Sequence, residues 1–155
     1  MKMHLIAVGK KMPDWVTQAY QDYVKRLPPD FNLQLVEVEP AQRGKNRDVR
    51  RVLQQEEEKI LKAIPHHSLV VALAIQGQAW DTLQLTEKLR EWRMTHPQIC
   101  FLVGGPEGLS EGCLKKSHIK WSLSPLTLPH PLVRVLLAEQ LYRTYTLITQ
   151  HPYHR

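Results

Sequence analysis

Two cysteines, Cys100 and Cys113, are all this chain carries, and their separation fits neither a metal-binding pair nor a disulfide framework. A reduced, cytoplasmic setting is the reading that follows. Long apolar runs are missing too. None approaches a membrane span, and the start, Met1 to Gly9, is too short for a signal peptide and reads as a buried first strand. Glycine is sparse, seven residues in all, and the turn after that strand holds only Gly9 before Lys10, Lys11 and Met12. A dinucleotide-binding Gly-x-Gly-x-x-Gly belongs at that turn, and a P-loop needs a lysine behind its glycines. Neither is there, which disfavours both. Acidic residues are outnumbered, 15 against 21 lysines and arginines, giving a net charge of +6 and a pI near 9.4. That balance suits a polyanionic partner without requiring one. With no repeat, low-complexity tract or linker, the 155 residues are expected to form one domain.

What is present alternates between strand and helix periods. Leu5 to Val8, Leu33 to Val38, Leu69 to Ala74, Ile99 to Val103 and Trp121 to Leu123 are short apolar runs. Between them lie helical stretches. Pro13 opens one carrying Val16, Tyr20, Tyr23 and Leu27, which Pro28 and Pro29 stop. A second bears Val49, Val52, Leu53, Ile60 and Ile64, and a third, capped by Asp81 or Thr82, bears Leu85, Leu89 and Trp92. Pro131 suits the first position of a last helix running to about Ile148. This is an α/β pattern with a mostly parallel sheet.

Two backbone-rich loops follow late strands. Gly104-Gly105-Pro106-Glu107-Gly108 leaves one, and Leu123-Ser124-Pro125-Leu126-Thr127-Leu128 leaves another and runs into Pro129-His130-Pro131. Ligands of open α/β sheets bind at that edge, so the pair points to a small-molecule site. The glycines let backbone approach a ligand closely or simply make a tight turn. The leucine-serine loop can wall an apolar slot and read a purine edge, or cover core. His130 is either a ligand contact or a structural hydrogen bonder, the latter favoured. On the last helix Arg134, Glu139 and Arg143 interrupt a stripe of Val133, Leu137, Leu141, Tyr145 and Ile148. Glu139 and Arg143 read as an i,i+4 surface pair. With Val135 and Leu136 added, the helix carries more apolar surface than one face needs, and a symmetric dimer is expected. Arg43-Gly44-Lys45-Asn46-Arg47, with Arg50 and Arg51, is the densest positive patch, either a solvated loop or a phosphate contact. The tail His151-Pro152-Tyr153-His154-Arg155 has two histidines but no nearby carboxylate, so it reads as a cationic, aromatic hook rather than a metal site.

Together these segments closely resemble the ribosomal RNA large subunit methyltransferase H family, SPOUT-class enzymes that methylate N3 of a pseudouridine. The matching pieces are Met3 to Gly9, Lys11-Met12-Pro13-Asp14-Trp15, Arg43 to Asn46, Gly104 to Ser110, Thr127 to Arg143 and His151 to Arg155. The resemblance covers the whole chain. It implies a SPOUT fold with a C-terminal trefoil knot over about 69–155, a topology nearly absent from proteins. It also implies S-adenosyl-L-methionine held at Leu73, Gly104 and Leu123, Ser124, Pro125, Leu126, Thr127, Leu128, with no metal. The implied partners are a second copy of the chain, which completes the active site, and 23S rRNA, with the assembled ribosome favoured as target. For the chemistry His154 is the expected base or proton relay, Arg143 and Arg155 the expected stabilisers of the uracil anion, and Tyr153 a stacking or hydrogen-bonding group. The competing expectations are an RNA-binding module without activity, and an S-adenosylmethionine enzyme acting on small molecules.

Overall fold

Strands that are apolar on both faces need cover on both, and the chain supplies it. The computed structural model describes residues 1–42 and 48–154. Strands β1 (Lys2–Val8), β2 (Asn32–Val38), β3 (Ser68–Ala79), β4 (Gln98–Val103) and β5 (Ile119–Ser122) form one sheet in the order β2-β1-β4-β3-β5. Every pairing is parallel. The helices are α1 (Asp14–Val24), α2 (Val49–Ala63), α3 (Thr82–Thr95), α4 (Glu111–Lys116) and α5 (His130–Thr149). Alternation along β1 shows how they are layered, since successive side chains leave opposite faces. Met3, Leu5 and Ala7 join Tyr20 of α1, Leu85 and Leu89 of α3, and Leu137 and Leu141 of α5. Ile6 and Val8 join Ile60 of α2 and Cys113 of α4. Three helices thus cover one face and two the other. Among the described residues no helix is long and apolar enough to cross a membrane.

Several boundaries move for identifiable reasons. The α1 helix stops at Val24, before the prolines, although Leu27 still packs on the core. Val49 is exposed, and the buried face of α2 carries Glu56 instead, whose Oε2 accepts a hydrogen bond from Ala41 N at 3.1 Å. Asp81 caps α3, in a reciprocal box with Gln84. The short α4 has no sequence-legible period, being six residues held by Ser110, whose Oγ accepts from Cys113 N at 3.1 Å. The β3 strand runs five residues past Ala74, to Ala79, because Leu73 and Gln78 both pair with Trp121, leaving 74–77 outside the ladder. Gly77 allows this: a Cβ there would lie 2.6 Å from the Trp121 nitrogen.

Both cysteines are free thiols buried in the second layer, and burial pushes Cys100 up from its ordinary 9.0 to about 12. Neither thiol of the native protein should react with a thiol reagent at pH 8, and both should react in denaturant. The folded chain keeps the Cys100 proton where the unfolded chain loses it. That contribution is therefore complete below about pH 9 and fades as pH climbs towards 12.

Candidate functional site

At the carboxyl edge of the sheet, β3, β4 and β5 end around a cavity of about 770 Å³. Its size falls within the roughly 300–1,000 Å³ range of small-molecule sites. The bulge of β3 contributes Leu73, Ala74, Ile75 and Gln76. The exit of β4 contributes Val103 to Leu109, and the exit of β5 contributes Ser122, Leu123, Ser124, Leu126 and Thr127. Leu128, Pro129, His130 and Val133 close the wall from the start of α5. Ile75 and Leu126 are both more than half exposed, so apolar side chains stand at the mouth.

Local geometry explains each wall. Gly105 to Gly108 is a turn closed by Gly108 N donating to Gly105 O at 2.9 Å, with Pro106 at the second position that turns favour. Gly108 has φ +79°, left-handed backbone that a side chain would strain. Gly104 has a different reason for lacking a side chain. A Cβ there would lie 2.4 Å from the Gly108 carbonyl carbon and oxygen, so the glycine lets the turn fold onto itself, not only onto a ligand. In the leucine-serine loop, Ser124 Oγ accepts from Leu126 N at 2.9 Å, and Ser124 O accepts from Ser122 Oγ at 3.0 Å. The amide and carbonyl groups of Thr127 and Leu128 make no hydrogen bond among the described residues. Leucine walls beside uncommitted main-chain donors and acceptors suit a flat heteroaromatic ring, whose faces are apolar and whose edge is polar. The arrangement therefore fits the adenine of S-adenosylmethionine.

The structure brings together most of the expected cofactor residues: Leu73, Gly104, Leu123, Ser124, Leu126, Thr127 and Leu128 all line the cavity. Pro125, exposed, does not. Glu107 of the glycine turn lines it too, as do Ile75 and Gln76, which the sequence does not suggest because β3 reads as ending at Ala74. His130, for which a structural role is favoured by sequence, stands in the wall and close to Gly9. Arg134, one turn further along α5, is the largest fully buried side chain. It donates to Glu37 Oε2 of β2 at 2.7 Å and to Gly9 O at 2.8 Å, fastening the start of α5 across the carboxyl edge. From sequence it only interrupts a stripe.

The tail residues assemble elsewhere. After α5 ends at Thr149, Gln150 takes left-handed backbone, His151 N donates to Thr146 O and the tail folds back along the helix. Glu139 accepts from Arg143 Nε at 2.8 Å and from the Tyr153 hydroxyl at 3.2 Å. The Tyr153 ring meets Tyr142 edge-on at 4.6 Å, and Arg143 lies over it at 5.2 Å. Desolvation first, then Tyr23 and Glu139, pushes the Tyr153 phenol up to about 12, so it remains a neutral donor. His154 Nδ1 is shielded and has no hydrogen-bond partner among the described residues. None of Arg143, Tyr153 and His154 lines the cavity of its own chain. Tyr142 lies twelve residues beyond His130, or about 18 Å along the helix axis. Arg155 and the Arg43 to Arg47 patch lie outside the described residues, while Arg50 and Arg51 are exposed on the first turn of α2.

Fold and site together define an α/β protein with a small-molecule cavity at the carboxyl edge of a five-stranded parallel sheet. The family model described as "Predicted SPOUT methyltransferase" matches residues 1–154. Ribosomal RNA large subunit methyltransferase H of Hahella chejuensis is 53% identical over 155 residues, covering 100% of this chain and 99% of that protein. The Marinomonas protein of the same name is 50% identical, covering 100% of both. Among solved structures, a methylase family protein from Haemophilus influenzae shares the fold with a TM-score of 0.58 at 15% identity, over 99% of this chain and 70% of that one. A Legionella pneumophila protein described as a methyltransferase, with the cofactor SAM bound, has a TM-score of 0.51 at 11% identity, over 91% and 65%. The chain belongs to the SPOUT methyltransferase family and, within it, to the ribosomal RNA large subunit methyltransferase H group.

Proposed function

We propose that this protein transfers a methyl group from S-adenosylmethionine to N3 of a pseudouridine in 23S rRNA, acting in the cytoplasm as a homodimer on the assembled ribosome. The observation that carries the reading is the cavity itself, backbone-rich and leucine-walled, at the carboxyl edge of β3, β4 and β5. The names of the relatives supply the rRNA. Leu73, Gly104 and the Leu123 to Leu128 loop would hold the cofactor, with Pro125 shaping the loop from outside. Bound there, S-adenosylmethionine supplies an electrophilic methyl group on a sulfonium whose departure leaves a neutral thioether. We further read 69–155 as the knotted part of the domain. That reading rests on the family resemblance.

The demanding step falls to the chain's own residues. The imide N3–H is mostly protonated at neutral pH, so a proton must leave as the N–C bond forms. His154 takes that proton, and its unpartnered Nδ1 supports the role. Arg143 and Arg155 stabilise the negative charge on the uracil ring, and neutral Tyr153 positions it. Because these groups stand apart from their own chain's cavity, the partner subunit's tail completes each site. The apolar surplus read on α5 is a weaker argument for the dimer, since none of its large apolar side chains is fully exposed.

Calorimetry should show S-adenosylmethionine binding without RNA. With labelled cofactor, methyl incorporation should be found at N3 of pseudouridine in ribosomes, and ribosomes lacking the pseudouridine should stay unlabelled. A protein that binds ribosomes but no cofactor would instead be a binding module.

A further inference from the structure

Trp15 is more than half exposed, an unusual position for the largest side chain in a protein whose other tryptophans are at least partly buried. It lies on the first turn of α1, directly after the loop that leaves β1. Its exposed neighbours are Lys10, Lys11, Pro13, Asp14, Thr17 and Gln18. Lys10 pairs with Glu39 at 3.3 Å, whereas Lys11 has no ion pair among the described residues and sits at φ +56°. Left-handed backbone at a lysine is uncommon, and here the loop is held in it from below. Gly9 N donates to Val38 O at 2.8 Å, and Gly9 O accepts from the buried Arg134. The same Arg134 sits one turn from His130 in the cavity wall, so the Trp15 loop and the cofactor cavity are fastened to one another at one edge of the sheet.

We propose that Trp15, with Lys11, is an RNA-docking platform on which a base flanking the target nucleotide stacks while Lys11 contacts a phosphate. The inference rests on the rRNA reading above and adds a specific contact to it. A single exposed aromatic whose exposed sequence neighbours are charged or polar, Pro13 apart, suits a stacked base better than a second copy of the chain. A dimer interface of standard size buries about 800 Å² per partner around an apolar centre, and among residues 10–18 the only other apolar side chain that is exposed is Pro13. Stacking needs one exposed ring face and tolerates any base, and an exposed lysine four residues earlier, with no ion pair among the described residues, adds a phosphate contact.

The test uses the full-length protein with purified ribosomes. Trp15→Ala should weaken ribosome binding and raise KM for ribosomes roughly tenfold to a hundredfold, the range for losing one base–aromatic stack. Trp15→Phe should recover most of that loss. Cofactor affinity by calorimetry and dimer mass by light scattering should not change. Lys11→Ala should make the salt dependence of binding shallower by somewhat under one unit of log affinity per log salt. If wild-type protein methylates ribosomes and Trp15→Ala matches it, the platform is overturned while the methyltransferase reading stands. Loss of dimer mass in Trp15→Ala would overturn it in favour of a subunit contact. Failure of the wild-type protein to bind ribosomes at all would overturn both readings together.

Discussion

A chain cut after Pro152, lacking Tyr153, His154 and Arg155, is expected to keep its fold, its mass in solution and its cofactor affinity, yet lose at least about a hundredfold in turnover. The fold should survive because Tyr153 and His154 are only partly buried and neither belongs to the hydrophobic core. Cofactor affinity should survive because no described residue of the tail lines its own chain's cavity. Turnover should fall because the lost residues include the expected proton acceptor and one expected charge stabiliser. The companion variant is Gly104→Ala, whose added Cβ has no room beside Gly108 and must open the turn, removing cofactor binding. Co-expressed under two tags and purified as heterodimers, the two inactive chains should recover activity. One site then pairs an intact cavity with the partner subunit's intact tail. Heterodimers as inactive as either parent would show that each chain uses its own tail. Near-normal turnover by the truncated chain would remove the tail from the chemistry.

Glu37→Ala should destabilise the protein by about 3–5 kcal/mol, the scale for stripping one partner from a buried ion pair. Arg134→Met should cost clearly less, roughly 1–2 kcal/mol, because the group it leaves behind can be solvated. The asymmetry follows from exposure. Arg134 is 2% exposed, and its Nε already lacks a hydrogen-bond partner among the described residues, so without Glu37 the guanidinium keeps only the Gly9 carbonyl. Glu37 is 34% exposed and can turn to water when Arg134 is gone. Urea denaturation of both variants measures this, and equal losses would mean that packing, not charge, dominates at this junction. Methionine fills much of the arginine's volume but cannot reach the Gly9 carbonyl. Arg134→Met should therefore also loosen the Trp15 loop.

The sequence determined the five strands, the four longer helices, their class and the edge that carries the site, but not the short α4. Apolar runs such as Ile99 to Val103 are legible because burial on both faces leaves no room for polar residues. Helices such as α3 are legible because Asp81 and the Leu85–Leu89–Trp92 spacing are local signals. The Gly104 turn and the Leu123 to Leu128 loop were legible as irregular backbone between such elements. Tertiary structure alone decided what depends on residues distant along the chain. Arg134 reads as a polar interruption until β2 and the end of β1 arrive with a carboxylate and a carbonyl for it. Gly104 is needed because Gly108 folds back onto it, a contact that no propensity contains. Ile75 and Gln76 reach the cavity because β3 bulges against β5, and that bulge is a property of the pairing rather than of either strand. The tail motif is distinctive in sequence, but its separation from the cavity follows from the length and direction of α5. Local order follows from nearest-neighbour chemistry, whereas ion pairs, close backbone approaches and distances between sites exist only once the sheet has brought remote segments together.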